Sequence, residues 1–319
     1  MREIGGYFEL EQFAGQAYHE DLLALNNGRC ALLYLLKARN IQKLYIPYFL
    51  CDSVSNLCDR YGYPYEYYHI DRCFRPIFDK TLGDGEWLYI VNFYGQICNQ
   101  QLLALRERYQ NVIFDNIHAF FQKPVAGIDT IYSCRKFFGV PDGGYLSTEA
   151  VLEEILEQDI SRDRMRHVLG RYEGCASDYY ADFKNNDHSF TELPLKTMSK
   201  LTRNLMRGID YDAVQRKRNE NYAVLAAALD QRNSLQLIKP DGPYCYPFYC
   251  KDGMRLKKAL AGRNIYVATL WPNVLSLDEC IEKDYAENIL PLPCDQRYGS
   301  EEMLAIIAAL QENCVSCRK

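Results

Sequence analysis

The sequence predicts an α/β fold, a mostly parallel sheet covered by helices, followed by a smaller C-terminal α+β domain. Three observations lead there. Short, almost continuously apolar runs recur through the first two thirds of the chain, as expected for strands buried on both faces. Segments with apolar residues at helical spacing separate them. After a polar stretch, a second series of helices and strands begins near residue 205.

Taken in order, Leu44-Tyr45-Ile46, Tyr65 to Ile70, Leu88 to Phe93, Val112-Ile113-Phe114 and Thr130-Ile131-Tyr132 read as strands. Arg29 to Arg39, Asp52 to Arg60 and Asn99 to Tyr109 read as the helices between them. The polar, pattern-poor stretch from Ala176 to Thr191 is expected to be a loop or crossing segment. Met198 to Leu229 then predicts one or two helices. Strand Tyr244 to Tyr249, helix Met254 to Leu260, strand Tyr266-Val267-Ala268 and helix Glu301 to Leu310 complete the chain. The expected division is a large domain over residues 1–204 and a small one over 205–319.

Composition narrows the partners. The chain has 319 residues, enough to bury a full core, with 37 basic against 42 acidic side chains and a net charge of −5. No long run of either sign gives an electrostatic reason to expect nucleic acid or an anionic membrane. The N-terminal residues lack the apolar core of a signal peptide, and the most apolar run, Trp87 to Val91, is too short to span a bilayer. The 13 cysteines are scattered through core-like segments, which predicts reduced thiols and a cytoplasmic location. Cys314 and Cys317 form a close pair without further ligands nearby, so no metal site is expected.

Three clusters carry chemistry, each at a strand end or helix start. Asn26-Asn27-Gly28-Arg29-Cys30 opens a helix, where free N–H groups and a glycine suit a phosphate; an ordinary helix cap is the plainer alternative. Asp115 ends an apolar strand, three residues before His118, and a carboxylate there needs a partner, such as a protonated ring nitrogen, or serves as a cap. Lys136 stands between a strand end and the glycine-rich Gly139 to Gly144 turn. Desolvation and the neighbouring Arg135 would lower its pKa and make it a Schiff-base nucleophile; a surface Arg-Lys pair is the plainer alternative.

In this order and spacing the chain resembles the DegT/StrS-type sugar aminotransferases, members of the fold-type I pyridoxal-phosphate (PLP) enzymes. The resemblance runs through Gly28 to Leu32, Ile46-Pro47, Asn92-Phe93-Tyr94-Gly95, Asp115 to Ala119, Lys136 to Gly144 and Leu290 to Pro293. It implies pyridoxal 5'-phosphate held by Lys136 as a Schiff base, Asp115 at the ring nitrogen and His118 near the phenolic oxygen. It further implies Gly28, Arg29, Cys30 and Ser133 around the phosphate, Tyr94 lining the pocket, and a homodimer. The implied reaction moves an amino group from a donor such as glutamate to a nucleotide-linked keto sugar, in the context of polysaccharide assembly. The chain also departs from the pattern. Arg29 replaces a small polar residue, and Ser133 lies three rather than five residues before Lys136. Cys51 stands where an aromatic often stacks on the cofactor, with Phe49 or Tyr94 as substitutes. Lys196 and Met198 fall where Asn-x-Arg-Met is expected. These departures keep two alternatives open: a PLP enzyme of desulfurase- or dehydratase-like reaction, and a non-catalytic protein that retains the fold.

Overall fold

Apolar strands joined by helical crossovers can pair in parallel only if the crossovers cover the sheet faces. In the computed structural model, which describes residues 4–313, the chain does this. In chain order the elements are β1 (Leu23–Leu25), α1 (Gly28–Ala38), β2 (Lys43–Pro47), α2 (Ser53–Tyr61), β3 (Tyr65–Ile70), β4 (Pro76–Ile77), β5 (Glu86–Val91), α3 (Asn99–Tyr109), β6 (Val112–Asp115), β7 (Asp129–Ser133), β8 (Gly144–Ser147), α4 (Arg166–Glu173), α5 (Tyr180–Glu192), α6 (Lys200–Arg207), α7 (Tyr211–Leu229), β9 (Cys245–Tyr249), α8 (Gly253–Ala261), α9 (Ile281–Asn288), β10 (Ile289–Pro293) and α10 (Ser300–Asn313).

Eight strands form one sheet in the order β1-β8-β7-β6-β5-β2-β3-β4. β7, β6, β5, β2 and β3 run parallel, while β8 and β4 are antiparallel to their neighbours. Strand order reverses between β2 and β5, which opens a crevice beyond the carboxyl ends of the parallel strands, the usual ligand position in such sheets. The strand cores Leu44, Ile46, Leu88, Ile90, Ile113 and Phe114 are at most 1% exposed. A second core surrounds the two-stranded β9–β10 sheet, where Tyr246, Phe248, Leu290 and Leu292 pack with Leu225, Leu256 and Ile306 from α7, α8 and α10.

Two expectations are corrected. Residues 180–192 are a helix rather than a loop. α5 fully buries only Asn186 and Phe190, so its contact face is too narrow and too polar to leave a clear periodicity. Tyr266 to Ala268 is not a strand. Tyr266 is 65% exposed, and the run pairs with neither β9 nor β10, whose outer edges stay open. Pro291 and Pro293 are accommodated in β10 because it pairs on one side only. No disulfide links the described cysteines, and no described helix is long and apolar enough to cross a membrane. Cys314 and Cys317 lie outside the described residues.

Candidate active site

The parallel strands end in the chemistry-bearing residues. β6 ends on Asp115, β5 leads into Asn92 to Gly95, β2 into Phe49 to Cys51, and β7 into the single turn Cys134–Lys136. The glycine pair after Lys136 has a steric reason. Gly143 adopts φ +115°, in the region that favours glycine, and a Cβ on Gly144 would lie 2.8 Å from the Asn27 backbone carbon and 3.0 Å from the Gly28 nitrogen. The lysine turn and the turn opening α1 can therefore touch backbone to backbone. The Gly143 N–H donates to the Asn26 carbonyl at 2.6 Å.

At the start of α1 the Asn27 side chain accepts the Cys30 N–H at 2.8 Å, and its carbonyl accepts the Ala31 N–H. The cap therefore already uses the Cys30 N–H, and its thiol points to the Pro194 carbonyl at 3.7 Å, pushed up to about 12 by burial. The Gly28 and Arg29 N–H groups take no part in that cap, as is usual for a first helical turn. Arg29 Nη1 and Asn27 Nδ2 are buried donors without a partner. Ser133 is half-buried at the end of β7, opposite Gly144.

Lys136 makes no hydrogen bond or ion pair among the described residues. Burial holds its pKa below the ordinary lysine value and Arg135 pushes it the same way, while Cys51, Asp187 and Asp115 oppose them. Asp115 is 4% exposed and accepts from the Tyr89 hydroxyl at 2.5 Å and the Ile117 N–H at 2.9 Å. Burial raises its pKa from 3.8 to about 6, against the pull of these two bonds and of Lys136. The carboxylate thus remains mostly ionised at neutral pH.

His118 is fully buried, and its ring lies flat against Tyr244, with centroids 4.2 Å apart and planes within 3°. Tyr94 stacks 5.6 Å away, held at φ 56° by a turn in which its N–H donates to His118 Nδ1 at 3.4 Å. That bond makes Nδ1 the acceptor and puts the proton of the neutral ring on Nε2, a buried donor without a partner. Burial, aided by the charge of Lys136, keeps the imidazole neutral by lowering its pKa well below the usual value.

The structure thus gathers Asp115, His118 and Lys136 with Arg135, Cys51 and Asp187 in one electrostatic neighbourhood. Phe49 is not part of it, being buried against Phe93 and Trp271 in the main core. Nor does Met198 reach outward, since it is fully buried. Sequence reasoning missed Tyr89, Tyr244 and Asp187, and Tyr89 lay hidden inside an apolar strand. Tyr244 precedes an apolar strand and shows no local sign of meeting His118. Asp187 sits on α5, in the stretch read as a loop, with its carboxylate 3.2 Å from Arg135 and 3.8 Å from Arg29.

No family model matches the chain, and no curated protein sequence does. Solved structures match it over nearly its whole length. PseC of Helicobacter pylori, an aminotransferase of pseudoaminic acid biosynthesis, is 12% identical over 92% of this chain and 86% of its own, with a TM-score of 0.65. The PLP-form of Spr1654 from Streptococcus pneumoniae is 14% identical over 91% and 86%, at 0.61. The sugar aminotransferase CalS13 of Micromonospora echinospora is 15% identical over 92% and 87%, at 0.58. DesI, solved in the presence of its TDP-sugar product, is 14% identical over 93% and 80%, at 0.61. At these identities the likeness is one of fold: the chain has the fold of the DegT/StrS-type sugar aminotransferases.

Proposed function

We propose that this protein is a PLP-dependent aminotransferase that moves an amino group from an amino acid such as glutamate to a nucleotide-linked keto sugar. The observation that carries the reading is the unpartnered Lys136 amine, its pKa lowered, beside the ionised Asp115 and the unpaired Nε2–H of His118. The residues present fit the cofactor. Arg29 Nη1, Asn27 Nδ2 and His118 Nε2 are buried donors without acceptors, and an anionic phosphate and an anionic ring oxygen are acceptors of the required kind.

When bound, PLP supplies an electron sink for cleavage of a bond at the amino-acid α-carbon. The protein supplies the rest. Lys136, uncharged more readily than a free lysine, would hold the cofactor through its amine, and when not so engaged that amine would take the proton from the substrate carbon. Asp115, whose anion the Tyr89 hydroxyl and the Ile117 N–H favour against burial, would be the residue to keep a proton on the cofactor's ring nitrogen. Neutral His118 donates Nε2–H rather than competing as a cation. Arg29, the first-turn N–H groups of α1 and Ser133 would bind the phosphate, and Tyr94 fixes the imidazole plane.

The division into residues 1–204 and 205–319 is part of this proposal, supported by the separate core around β9 and β10. So is a homodimer, supported by Leu169, Tyr172, Tyr180 and Phe183, apolar or aromatic side chains left 43–90% exposed on α4 and α5. The scatter of described cysteines without a disulfide between them supports a cytoplasmic location. The buried Cys134, its thiol pKa raised by burial, gives no support to a sulfur-carrying role.

The test is the visible spectrum of the protein given PLP, before and after borohydride, beside Lys136→Ala. Cofactor fixed by reduction in the wild type alone, followed by amine exchange with glutamate, is the expected result. A folded wild type that acquires no absorption band would refute the reading.

A further inference from the structure

The cations at the α1 turn already face an anion, and it belongs to the chain. Arg29 and Arg135, from α1 and from the lysine turn, converge on the Asp187 carboxylate of α5 at 3.8 and 3.2 Å. The side chains of Arg29 and Arg135 are 21% and 16% exposed, whereas that of Asp187 is 43% exposed and has solvent to turn into. The helix that carries it is secured on both sides of this residue. Asn186 Nδ2 donates to the Pro141 carbonyl at 2.9 Å, Phe190 is buried beneath the Arg135 guanidinium at 4.6 Å, and Arg60 holds the Glu192 carbonyl at 3.0 Å. The carboxylate is therefore delivered to the arginines by a fixed helix.

Asp187 does not satisfy them. Arg29 Nη1 remains buried with no acceptor, and both guanidiniums turn to the single oxygen Asp187 Oδ1, which Arg29 meets only at 3.8 Å, beyond hydrogen-bond distance. A phosphate brings more oxygens and up to twice the charge, and Arg suits it through its planar fork. Both anions cannot hold the same guanidiniums, because like charges at such separations repel strongly in a partly desolvated site.

We propose that Asp187 is a tethered competitor for the phosphate site: its carboxylate and the phosphate of the cofactor contend for Arg29 and Arg135, so that α5 sets how tightly the cofactor is held. The inference rests on the PLP reading for the identity of the ligand, but the anion site itself can be tested without it.

Dissociation constants for inorganic phosphate, by calorimetry, and for PLP, by absorbance, are to be compared in the wild type, Asp187→Asn, Asp187→Ala and Asp187→Glu. Asp182→Asn on the same helix, which removes the carboxylate facing Arg166 at 3.4 Å, is the control. Asn and Ala should tighten both ligands by about tenfold, the effect of removing one nearby like charge. Glu and the control should leave them near the wild type. Equal or weaker phosphate and PLP binding in both Asn and Ala variants would overturn the proposal and make Asp187 a support for the arginines. Tighter inorganic phosphate with no borohydride-fixed PLP in any variant would keep this inference and sink the cofactor reading. PLP fixed on Lys136 with affinity equal to wild type in both variants would sink the inference alone.

Discussion

Asp115→Asn should make the ligand-free protein more stable while weakening its hold on the cofactor. Burial lifts the carboxyl pKa from 3.8 to about 6, so the folded chain keeps this proton over a range where the unfolded chain has lost it. Stability from the protonated form is complete below about pH 4 and is lost as pH rises through about 6. At ~1.36 kcal/mol per pKa unit, the loss amounts to roughly 3 kcal/mol at pH 8. An asparagine cannot ionise, and its amide can be met by the Tyr89 hydroxyl, which now donates at 2.5 Å and can rotate to accept. The stability difference, variant minus wild type, should therefore grow from near zero at about pH 4 to between about 1 and 3 kcal/mol at pH 8. Urea unfolding of both proteins across this range measures it, and the subtraction removes the other carboxylates. A difference independent of pH, or a variant less stable than wild type at pH 8, would refute the reasoning. PLP titration of the same variant should show weaker binding, since a neutral amide no longer favours a protonated ring nitrogen.

Further outcomes follow from the same geometry. Gly144→Ala should cost on the order of 2 kcal/mol, because the new methyl meets the Asn27 and Gly28 backbone and neither strand nor helix can recede; thermal unfolding and phosphate binding should both report it. His118→Phe should change ligand-free stability by less than about 1 kcal/mol, because loss of the unpaired Nε2–H is offset by loss of the acceptor for the Tyr94 N–H, yet reduce PLP affinity, as chemical denaturation and titration would show. Lys136 should react with pyridoxal and borohydride with a midpoint below its ordinary value of 10.5, read by mass spectrometry of the labelled peptide across pH. Arg218→Met should destabilise the chain by about 3 kcal/mol, since the arginine is buried and donates to the Gln296 side chain and the Pro243 and Phe137 carbonyls.

The parallel core of the sheet was legible because its signal is local. Four of the parallel strands, β2, β5, β6 and β7, are buried on both faces and leave apolar runs, and the positions ending two of them, Asp115 and the Ser133–Lys136 turn, are polar where the runs stop. Gly143 and Gly144 were legible as a motif, though β8, which they open, was not, since its partners β1 and β7 are known only in three dimensions. α5 was misread for a physical reason: a helix resting on two buried side chains carries little apolar periodicity. The same misreading concealed Asp187, whose meaning lies wholly in meeting Arg29 and Arg135 from distant parts of the chain. Tyr244 was hidden likewise, because its stacking on His118 comes from folding the C-terminal segments back over the sheet.

The Phe137 carbonyl, one residue past the lysine, receives both Arg218 Nη2 at 3.2 Å and Gln296 Nε2 at 2.8 Å. One donor comes from α7 and the other from the turn before α10, so two separate parts of the C-terminal region grip a single peptide unit. Such a linkage is a mechanical coupling. Rocking of that region against the sheet would pull on the backbone that carries Lys136 before it altered any pocket wall. Substrate contacts made far from the lysine could then be felt at its amine as a change of position.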